Sequence, residues 1–493
     1  MGQTHTLAEG SLGLHTAAEL AELPGGLASL GVARLDGSGS AYGAGADDAP
    51  ALADRTAVPS FAGGSSARRI APDVWWVGAS DRRLALFENA HPLENGIAYN
   101  SYLIVDEAVV LIDTIDRAVS GQFFENLETV LAGRAVDYVV VNHMEPDHSA
   151  SLGQVLARWP RATVVCTGLA AKFVGQFFDD GLRGRCVAVA EGDALVSGRH
   201  ALSFVETPWV HWPEVMMSFD HATGLLFSAD AFGTFGALDG NIFADQMGVP
   251  DDERRTAELR RYYANIVGKY GPHVQRALAK VAALPVAALC PTHGPVWRRD
   301  LGFAIEKYGR WAAYEPEDRA VAIFCASVYG GTESAANMLA AELSAAGVDD
   351  VRVYDVAKTH ESYLVAEAFR ASHLVFASVT YNNGVFTAMR DLIADLGDHH
   401  LQHRHVSFVE NGTWHATAAS LMRAAVSAWP DMTEVGQAVS LRSTVSARTA
   451  GEIKALAGAI AASLRGDVAH ADETRLSDPL PPVDATSGAS VRH

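Results

Sequence analysis

The sequence predicts an α/β protein with two successive domains, of which the second contains a doubly wound parallel sheet. At 493 residues, the chain is long enough to form more than one core. Short apolar runs separated by polar turns occupy the first part, whereas strand-like and helical runs alternate regularly after residue 318. Because regular alternation is typical of parallel sheets, we expect the second domain to bind a ligand at the carboxyl ends of its strands.

Changes in composition divide the chain into four parts. Residues 1–68 are rich in Ala, Gly and Ser, and we expect most of this N-terminal extension to be flexible. Residues 69–315 form the first predicted domain, and residues 319–465 form the second. Residues 466–493 contain a Pro-Leu-Pro-Pro stretch and are predicted to be a disordered tail.

The apolar runs and the helical patterns give an order of elements within each domain. In the first domain, strands are predicted at residues 74–77, 101–105, 109–112, 138–141, 163–165, 201–205 and 224–228, with helices at residues 122–131 and 253–267. In the second domain, strands are predicted at residues 321–326, 351–354, 373–379 and 405–410, with helices at residues 334–345, 365–371, 386–396, 416–428 and 447–464.

The charge and the apolar runs restrict the partners and the location of the protein. Asp and Glu total 58 against 38 for Lys and Arg, which gives a formal net charge of −20. This balance argues against nucleic acid as a partner, because binding it requires basic surface that neutralises phosphates. The sequence begins without a secretion signal, and its apolar runs are shorter than the roughly 18 residues that would span a bilayer. We therefore expect a cytoplasmic protein that does not bind membranes.

The cysteines give no sign of a disulfide framework. The four residues are widely spaced and form no C-x-x-C pair, which also disfavours a cysteine zinc site and a built-in rubredoxin-type iron module. Buried free thiols are the favoured interpretation, above all for the cysteine in the strand predicted at residues 321–326. The cysteines are Cys166, Cys186, Cys290 and Cys325.

The first group of candidate site residues lies at the end of a predicted strand. Residues 138–141 lead directly into Asn-His-Met-Glu-Pro-Asp-His, which holds two imidazoles and two carboxylates. This density is far too high for an ordinary turn, and a mixed set of nitrogen and carboxylate donors suits iron, manganese or zinc. The motif supplies four candidate metal ligands: His143, Glu145, Asp147 and His148.

Three later segments have the same form, a strand-like run that ends in a metal-binding residue. They supply His211, Asp230 and His293. Considered singly, His211 is explained as a hydrogen-bonded core residue, Asp230 as a helix cap and His293 as part of a turn. The first motif requires further ligands from elsewhere in the fold, however, and these residues have suitable chemical types. We therefore expect all three to join the metal site.

The order of these motifs resembles the metallo-β-lactamase superfamily, in which a dense first motif is followed by His, then Asp, then Thr/Ser-His-Gly. Hydrolases of that superfamily typically carry His-x-His-x-Asp-His, and here Glu145 stands in the place of the second His. A carboxylate is a harder, anionic ligand that favours iron over zinc. This departure resembles the diiron branch, the flavodiiron proteins, and implies that the first domain is an αββα sandwich.

The resemblance also implies a role for each candidate ligand. Two irons would share Asp230 as a bridge, and we expect no catalytic residues beyond the ligands themselves. His148 is the position that water replaces in some members of the family. The remaining ligands would divide into two sets: His143, Glu145 and His211 for one iron, and Asp147, His148 and His293 for the other.

Three loops at successive strand ends of the second domain form another candidate site. The first has glycines and hydroxyls at the start of a predicted helix, which suits a phosphate nest, and its Ser/Thr-x-x-Gly-x-Thr spacing resembles the flavodoxin phosphate loop. The two later loops resemble those that hold the isoalloxazine ring in flavodoxin-like domains, although singly each is explained by a turn or by core packing. Together they imply FMN, since no motif for an adenine half is evident. The residues are Ser327, Val328, Tyr329, Gly330, Gly331, Thr332, Thr380, Tyr381, Asn382, Asn383, Gly384, Asn411, Gly412, Thr413 and Trp414.

The resemblance to flavodiiron proteins covers roughly residues 70–465, with both domains in the family's order. It implies that dioxygen is reduced to water, nitric oxide to nitrous oxide, or both, at irons that FMN re-reduces. It also implies a head-to-tail homodimer, or a dimer of such dimers, in which the flavin of one subunit lies beside the irons of the other. Electrons would come from a separate rubredoxin, flavoredoxin or NAD(P)H-linked reductase.

Three alternatives stand beside this interpretation. A zinc hydrolase would use the same first fold, but Glu145 and the predicted flavin domain disfavour it. A redox or gas sensor would contain the same cofactors without turnover. A simple flavodoxin-like electron carrier would leave the metal-ligand set unexplained, so the reductase is favoured.

Overall fold

The computed structural model describes residues 13–15 and 64–476, which divide between two compact units. The first unit ends at Gly309 and the second begins at Arg310. The predicted domains span residues 69–315 and 319–465. Within the described residues, every helix is too short or too polar to cross a lipid bilayer.

The division between the units falls a few residues before the predicted end of the first domain at residue 315. The segment that follows Arg310 packs on the second unit, which explains the difference. The ring of Tyr314 lies 6.2 Å from that of Phe369, measured between centroids. Arg404 donates a hydrogen bond of 2.6 Å to the carbonyl oxygen of Tyr314.

Two β-sheets form the centre of the first unit. The larger sheet is parallel over its first four strands and antiparallel over the rest, and in spatial order its strands are Cys186–Val189, Thr163–Thr167, Tyr138–Val141, Val109–Ile112, Tyr102–Val105, Val74–Trp76 and Arg68–Ala71. In the smaller sheet the strands are Gly13–His15, Ala194–Val196, Ala201–Glu206, Met216–Asp220, Leu225–Phe227 and Ala288–Cys290. Two short ribbons pair Ala79–Asp81 with Ile97–Tyr99 and Leu86–Phe87 with His91–Pro92.

The two sheets share one apolar core. Ile104 and Val140 of the larger sheet are buried in the same cluster as Phe204 and Phe227 of the smaller sheet. Alternate residues of each strand contribute, because successive side chains of a strand point to opposite faces. On the other face of the larger sheet, helix Gly168–Phe177 contacts the two strands at the parallel edge. This arrangement confirms the predicted sandwich of sheets and helices.

The helices of the first unit lie between and after these strands. The α-helices are Ser120–Leu131, Pro146–Ser149, Leu152–Arg158, Gly168–Phe177, Asp180–Arg183, Ala244–Met247, Glu253–Tyr262, Gly271–Val281 and Leu301–Ala312, the last of which crosses the division between the units. Single-turn elements are Arg117–Val119, Val249–Asp251 and Gly268–Tyr270, and a π-helical turn spans Tyr263–Val267.

The second unit contains a doubly wound sheet, as predicted. Its first strand lies between its second and third strands, and these central pairs are parallel. The spatial order is Val351–Asp355, Asp318–Ala326, Ala371–Tyr381, His405–Asn411, Thr433–Val435 and Glu473–Arg475, with Gly384–Val385 and Val439–Leu441 paired off this path. The helices are Gly331–Ala345, Glu361–Arg370, Thr387–Asp398, Ala418–Val426, Ala447–Arg465 and Val468–Ala471.

Local sequence explains where the longest helix of the second unit begins and ends. Helix Ala447–Arg465 starts at a capping box, in which the Ser446 side chain accepts from the backbone N–H of Thr449 and the Thr449 side chain accepts in return. It ends at Gly466, whose φ of +76° is the left-handed conformation that suits glycine.

The predicted tail begins too early. Residues 466–476 are ordered by helix Val468–Ala471 and strand Glu473–Arg475, and this strand pairs antiparallel with Thr433–Val435. The added strand forms hydrogen bonds with backbone groups that the sheet edge would otherwise leave unpaired. The amino-acid composition of this segment does not indicate such pairing. Residues 477–493 lie outside the described part of the chain.

Part of the N-terminal extension also belongs to a sheet. Gly13–His15 pairs antiparallel with Ala194–Val196 at the edge of the smaller sheet. At its other end, the backbone N–H of Ser66 donates to the Asn126 side chain at 2.8 Å. These residues depart from the prediction of a flexible extension, and residues 1–12 and 16–63 lie outside the described part.

Candidate metal centre and flavin loops

The dense motif follows strand Tyr138–Val141 and is held at a sharp turn by Asp113. The backbone N–H groups of Asn142 and His143 donate to Asp113 Oδ1 at 2.7 and 3.3 Å. Pro146 then starts the one-turn helix Pro146–Ser149, a position where proline lacks no helical hydrogen bond. Burial raises the pKa of Asp113 to about 6, and these two hydrogen bonds oppose the rise.

The structure brings all seven predicted ligands together in two adjacent groups. Within each group, the candidate ligand atoms lie within 4.8 Å of one another. The family resemblance implies two sets of three ligands with Asp230 shared between them. The first group is His143, Glu145, His211 and Asp230, and the second is Asp147, His148 and His293.

Asp230 reaches both groups with its two oxygens. Its Oδ2 atom lies 3.1 Å from Nε2 of His211, and its Oδ1 atom lies 3.0 Å from Nε2 of His148. The hydroxyl of Thr292 donates a short hydrogen bond to the same Oδ1 atom. The buried Asp230 carboxylate therefore contacts a histidine of each group.

Two histidines are oriented by hydrogen bonds on their far side. His143 Nδ1 lies 2.8 Å from Oε1 of the buried Glu214, which also accepts from the backbone N–H of Met144 at 2.9 Å. His293 Nδ1 lies 2.9 Å from the carbonyl oxygen of Ala98. Since each Nδ1 atom donates to these oxygens, each Nε2 atom is left as a lone-pair donor toward its group.

The donor set fits two divalent cations. Three carboxylates and four imidazoles converge in a buried site, and buried carboxylates are costly unless they are paired or coordinate metal ions. The Nε2 atoms of His148 and His293 lie 3.3 and 3.2 Å from Oδ2 of Asp147, so these buried ligand atoms converge without forming well-aligned hydrogen bonds with one another. Hard oxygen donors mixed with imidazole suit iron.

The pKa values of the histidines show that the imidazoles and carboxylates of the two groups interact strongly. Burial alone would lower the pKa of His148, yet the carboxylates of Asp147 and Asp230 raise it to about 9. Burial likewise acts to lower the pKa of His211, and hydrogen bonds to Asp230 and Glu145 raise it to about 9. In the absence of cations, the imidazoles thus take up protons that compensate the carboxylates.

Aromatic residues line the second group. The His293 ring lies 5.3 Å from that of Phe87, 5.6 Å from Tyr99 and 5.4 Å from Tyr262, all measured between centroids. The Tyr262 hydroxyl is buried and has no hydrogen-bond partner within the described chain. Burial, followed by the charge of Asp230, raises the pKa of Tyr262, so the phenol keeps its proton.

Sequence reasoning missed several groups that support the ligands. Asp113 directly follows strand Val109–Ile112, which is the same pattern that identified the ligands and could have found it. Glu214 lies three positions after His211, but no local pattern indicates that it reaches His143. Glu88 hydrogen-bonds Glu145 although a third (33%) of its side chain is exposed, and burial with the Glu145 charge raises its pKa to about 8.

The predicted flavin loops lie at the carboxyl ends of three neighbouring strands in the second unit. The first loop separates Asp318–Ala326 from helix Gly331–Ala345, and within it the backbone N–H of Gly330 donates to Ser327 Oγ at 3.1 Å. Gly330 has a φ of +86°, which suits glycine. The hydroxyl of Thr332 is buried and has no partner among the described groups, as expected of a donor kept for a ligand.

The first and third loops are in direct contact. A Cβ atom at Gly331 would collide with the carbonyl oxygen of Ser443 and lie 2.9 Å from Nδ2 of Asn411. Asn411 and Ser443 exchange two hydrogen bonds of 3.1 and 3.0 Å, and Ser443 Oγ donates to the Thr413 hydroxyl at 3.0 Å. Sequence reasoning did not single out Ser443, which follows strand Val439–Leu441.

The second loop is anchored to the same end of the sheet, and the second and third loops each expose an aromatic side chain. Thr380 Oγ1 accepts from the backbone N–H groups of Thr417 and Ala418 at 3.0 and 3.2 Å. Trp414 is 89% exposed and Tyr381 is 46% exposed, whereas most aromatic residues of this unit are buried. Exposed rings on these loops suit the stacking of a planar ligand.

Comparison with known proteins agrees with this geometry. The family model described as "ODP family beta lactamase" matches residues 97–294. The anaerobic nitric oxide reductase flavorubredoxin of Salmonella arizonae is 30% identical over 347 residues, which cover 69% of this chain and 71% of that protein. The flavorubredoxin of Vibrio vulnificus is 31% identical over 334 residues, but the chain spans 65% of its length, slightly less than two thirds.

Solved structures show the same two-domain fold. The rubredoxin oxygen:oxidoreductase of Desulfovibrio gigas matches with a TM-score of 0.75 and 26% identity, over 82% of this chain and 100% of that one. The flavodiiron protein of Giardia intestinalis matches with a TM-score of 0.74 and 22% identity, over 81% of this chain and 97% of that one. The chain belongs to the flavodiiron protein family, which is named for its flavin and its two irons.

Proposed function

We propose that this chain is a cytoplasmic flavodiiron reductase that reduces dioxygen to water, nitric oxide to nitrous oxide, or both. The position of Asp230 between two complete ligand groups is the observation that supports it most. The names of the relatives include both a nitric oxide reductase and an oxygen oxidoreductase. The four cysteines are all free, which suits the reducing cytoplasm.

Each of the two ligand groups would hold one iron. The first iron would be held by His143, Glu145 and His211, and the second by Asp147, His148 and His293. Asp230 would be shared by both irons. When bound, the irons would supply the redox chemistry for reducing the gas, and FMN would supply electrons to them. Together these cofactors hold enough reducing equivalents for either reaction.

The surrounding residues position the ligands and restrict water. Glu214 holds His143 in the tautomer that directs Nε2 inward. Phe87 and Tyr99 pack against His293 and shield that side of the site. Tyr262 keeps a buried phenolic proton beside the ligands, and we propose that it donates a hydrogen bond to the bound gas.

The flavin would be FMN, held at the three loops of the second unit. We propose that residues 327–332 bind its phosphate through backbone N–H groups and hydroxyls, of which Thr332 Oγ1 is buried and unused among the described residues. Residues 380–384 and 411–414 would hold the isoalloxazine ring, with Tyr381 and Trp414 available for stacking.

Electron supply requires two further partners. We propose that a rubredoxin, flavoredoxin or NAD(P)H-linked reductase reduces the flavin. We also propose a head-to-tail homodimer, because electrons pass efficiently only over short distances. Light scattering from the FMN- and iron-loaded protein tests this, and a monomer at working concentration would contradict it.

The decisive experiment measures turnover with each gas separately. The protein loaded with iron and FMN is reduced anaerobically, and consumption of dioxygen or nitric oxide is followed at an electrode. We expect steady consumption of at least one gas and a loss of at least about a hundredfold in Asp230→Asn, whereas Asn at the exposed Asp251 leaves the rate unchanged. Intact cofactors without turnover would indicate a sensor, and zinc without flavin would indicate a hydrolase.

A further inference from the structure

A cavity of about 520 Å³ lies in the first unit, apart from the residues of the metal centre. It is bordered by strands Arg68–Ala71 and Ala79–Asp81, by the turn Arg117–Val119 and by the loop at residues 238–242. A volume of this size is typical of pockets that hold small organic ligands. None of the proposed iron or flavin ligands lines it.

The charged residues of the cavity are mainly basic. Arg68, Arg82 and Arg83 line it together with one acidic residue, Asp81, which gives the lining a formal charge of +2, and Asp239 beside the lining pairs with Arg82. The whole chain carries a formal charge of −20, so a local excess of arginine is unusual for this protein. The cavity therefore favours an anionic ligand.

The arginines retain hydrogen-bond donors for such a ligand. Arg82 donates to the carbonyl oxygen of Leu238 at 2.6 Å and to Asp239 at 2.9 Å. Arg83 donates to the carbonyl oxygen of Ala118 at 3.4 Å, and its Nε lies 3.6 Å from Asp81. Each guanidinium has five N–H donors in a planar fork, so the remaining donors can bind a carboxylate or a phosphate.

The negative charge of Asp81 does not cancel this basic character, because its carboxylate already accepts hydrogen bonds from the backbone. Its Oδ1 atom accepts from the backbone N–H groups of Arg83 at 2.7 Å and Leu84 at 3.3 Å. The residue is only 5% exposed. Its charge is thus partly satisfied by backbone dipoles, which leaves the guanidinium groups as the dominant feature.

Part of the remaining lining is apolar and buried. Trp76 is fixed by a hydrogen bond of 2.8 Å from its Nε1 to the Asn100 side chain. Val119, Leu238 and Ile242 are each buried beside it in the cavity wall. An inorganic ion would leave this surface without a partner, whereas an apolar body attached to the anion would cover it.

We propose that this cavity binds a small organic anion, in which a carboxylate or phosphate group is attached to an aromatic or similarly sized apolar body. The guanidinium groups of Arg68 and Arg83 bind the anionic group, and Trp76 with its apolar neighbours packs against the body. The site is independent of the proposed reductase activity, because none of its residues is a metal or flavin ligand.

Isothermal titration of the full chain, loaded with iron and FMN, tests this proposal. Loaded FMN occupies the phosphate nest of the second unit, which removes it as a competing site. The probes are phenyl phosphate, benzoate and inorganic phosphate. We expect one saturable site for phenyl phosphate or benzoate, at least tenfold weaker binding of inorganic phosphate, and weaker binding at high salt. The aromatic probe that binds more tightly identifies the anionic group.

Matched variants locate the binding. Arg68→Glu and Arg83→Glu should each weaken the tighter probe at least tenfold, whereas Arg69→Glu, a change to the neighbouring exposed arginine of the same strand, should not. Gly121→Trp fills the cavity from a position where a Cβ atom meets nothing within 4 Å, and should abolish binding. Absence of saturable heat with both aromatic probes, or equal loss in Arg69→Glu, would overturn the proposal.

Discussion

Glu214 and His143 form a buried pair in which Oε1 of the carboxylate lies 2.8 Å from Nδ1 of the ring. The pair fixes the ring, so removing the carboxylate should loosen the iron that His143 is proposed to bind. We expect Glu214→Ala to retain iron about 10- to 100-fold less tightly against a chelator, as for other groups that orient metal-bound histidines. Glu214→Gln keeps an acceptor and should lose less. Equal chelator midpoints for wild type and Glu214→Ala would contradict the role.

Glu145→His should change which metal the site selects. The substitution restores the hydrolase pattern at this position and replaces an anionic oxygen donor by a neutral nitrogen, which favours zinc over iron. Metal analysis of protein produced with equal iron and zinc should therefore show a several-fold rise in the zinc-to-iron ratio. Glu125→His, at an exposed helix position, serves as the control. An unchanged ratio in Glu145→His would mean that another ligand determines the metal.

Much of the site could be predicted because its ligands follow the ends of strands, and the apolar runs that form strands can be recognised in the sequence. His143 and Asp230 each follow an apolar run within a few residues, so pattern and residue type together identified them. Glu214 shows the limit of this reasoning. Its contact with His143 joins positions 71 residues apart, and a buried carboxylate carries no local sign of its partner.

The same distinction applies to the fold. Strand–helix alternation predicted the doubly wound sheet because each unit of that pattern is local. Strand Glu473–Arg475 was not predicted, because its own residues are polar and give no strand pattern. It forms by pairing with Thr433–Val435, which is distant in the sequence. Edge strands that depend on a partner are set by tertiary contacts more than by propensity.

His373 should make the second unit less stable in mild acid. Burial, and then the charge of His405, lowers the pKa of His373 to about 3, against about 6.5 in an unfolded chain. The pKa of His373 is lower in the folded state than in the unfolded chain. The contribution of the neutral imidazole to the free energy of unfolding is therefore complete above pH 6.5 and is lost as the pH falls toward 3. Between pH 7 and 5 this amounts to about 2 kcal/mol.

The measurement compares urea unfolding at pH 7 and pH 5, followed by flavin fluorescence as a report on the second unit. His373→Gln should lose less stability between the two pH values than wild type does. Replacing His400, which is exposed, by Asn should leave the difference as in wild type. If His373→Gln and wild type lose the same amount, the buried imidazole is not the source.

Cys186 should be the most reactive thiol of the chain. A hydrogen bond from Cys166, followed by the charges of Arg183 and Arg185, lowers the pKa of Cys186, whereas burial raises the pKa of Cys325 to about 12. Since the thiolate is the nucleophile, iodoacetamide at pH 8 should label Cys186 first. Peptide mass mapping checks this, and Cys186→Ser should remove the early label. Earlier labelling of Cys325 would contradict the expected order.

Thr332 offers the sharpest test of the proposed flavin site. Its hydroxyl is buried without a partner among the described residues, and it lies in the second position of helix Gly331–Ala345. If this hydroxyl donates to the FMN phosphate, Thr332→Val, which keeps the shape of the side chain, should weaken FMN binding about tenfold, equivalent to about 1.4 kcal/mol. Thr332→Ser keeps the donor and should bind FMN nearly as wild type does. Flavin fluorescence titration of the apoprotein measures both, and equal affinities for the Val and Ser variants would place the phosphate elsewhere.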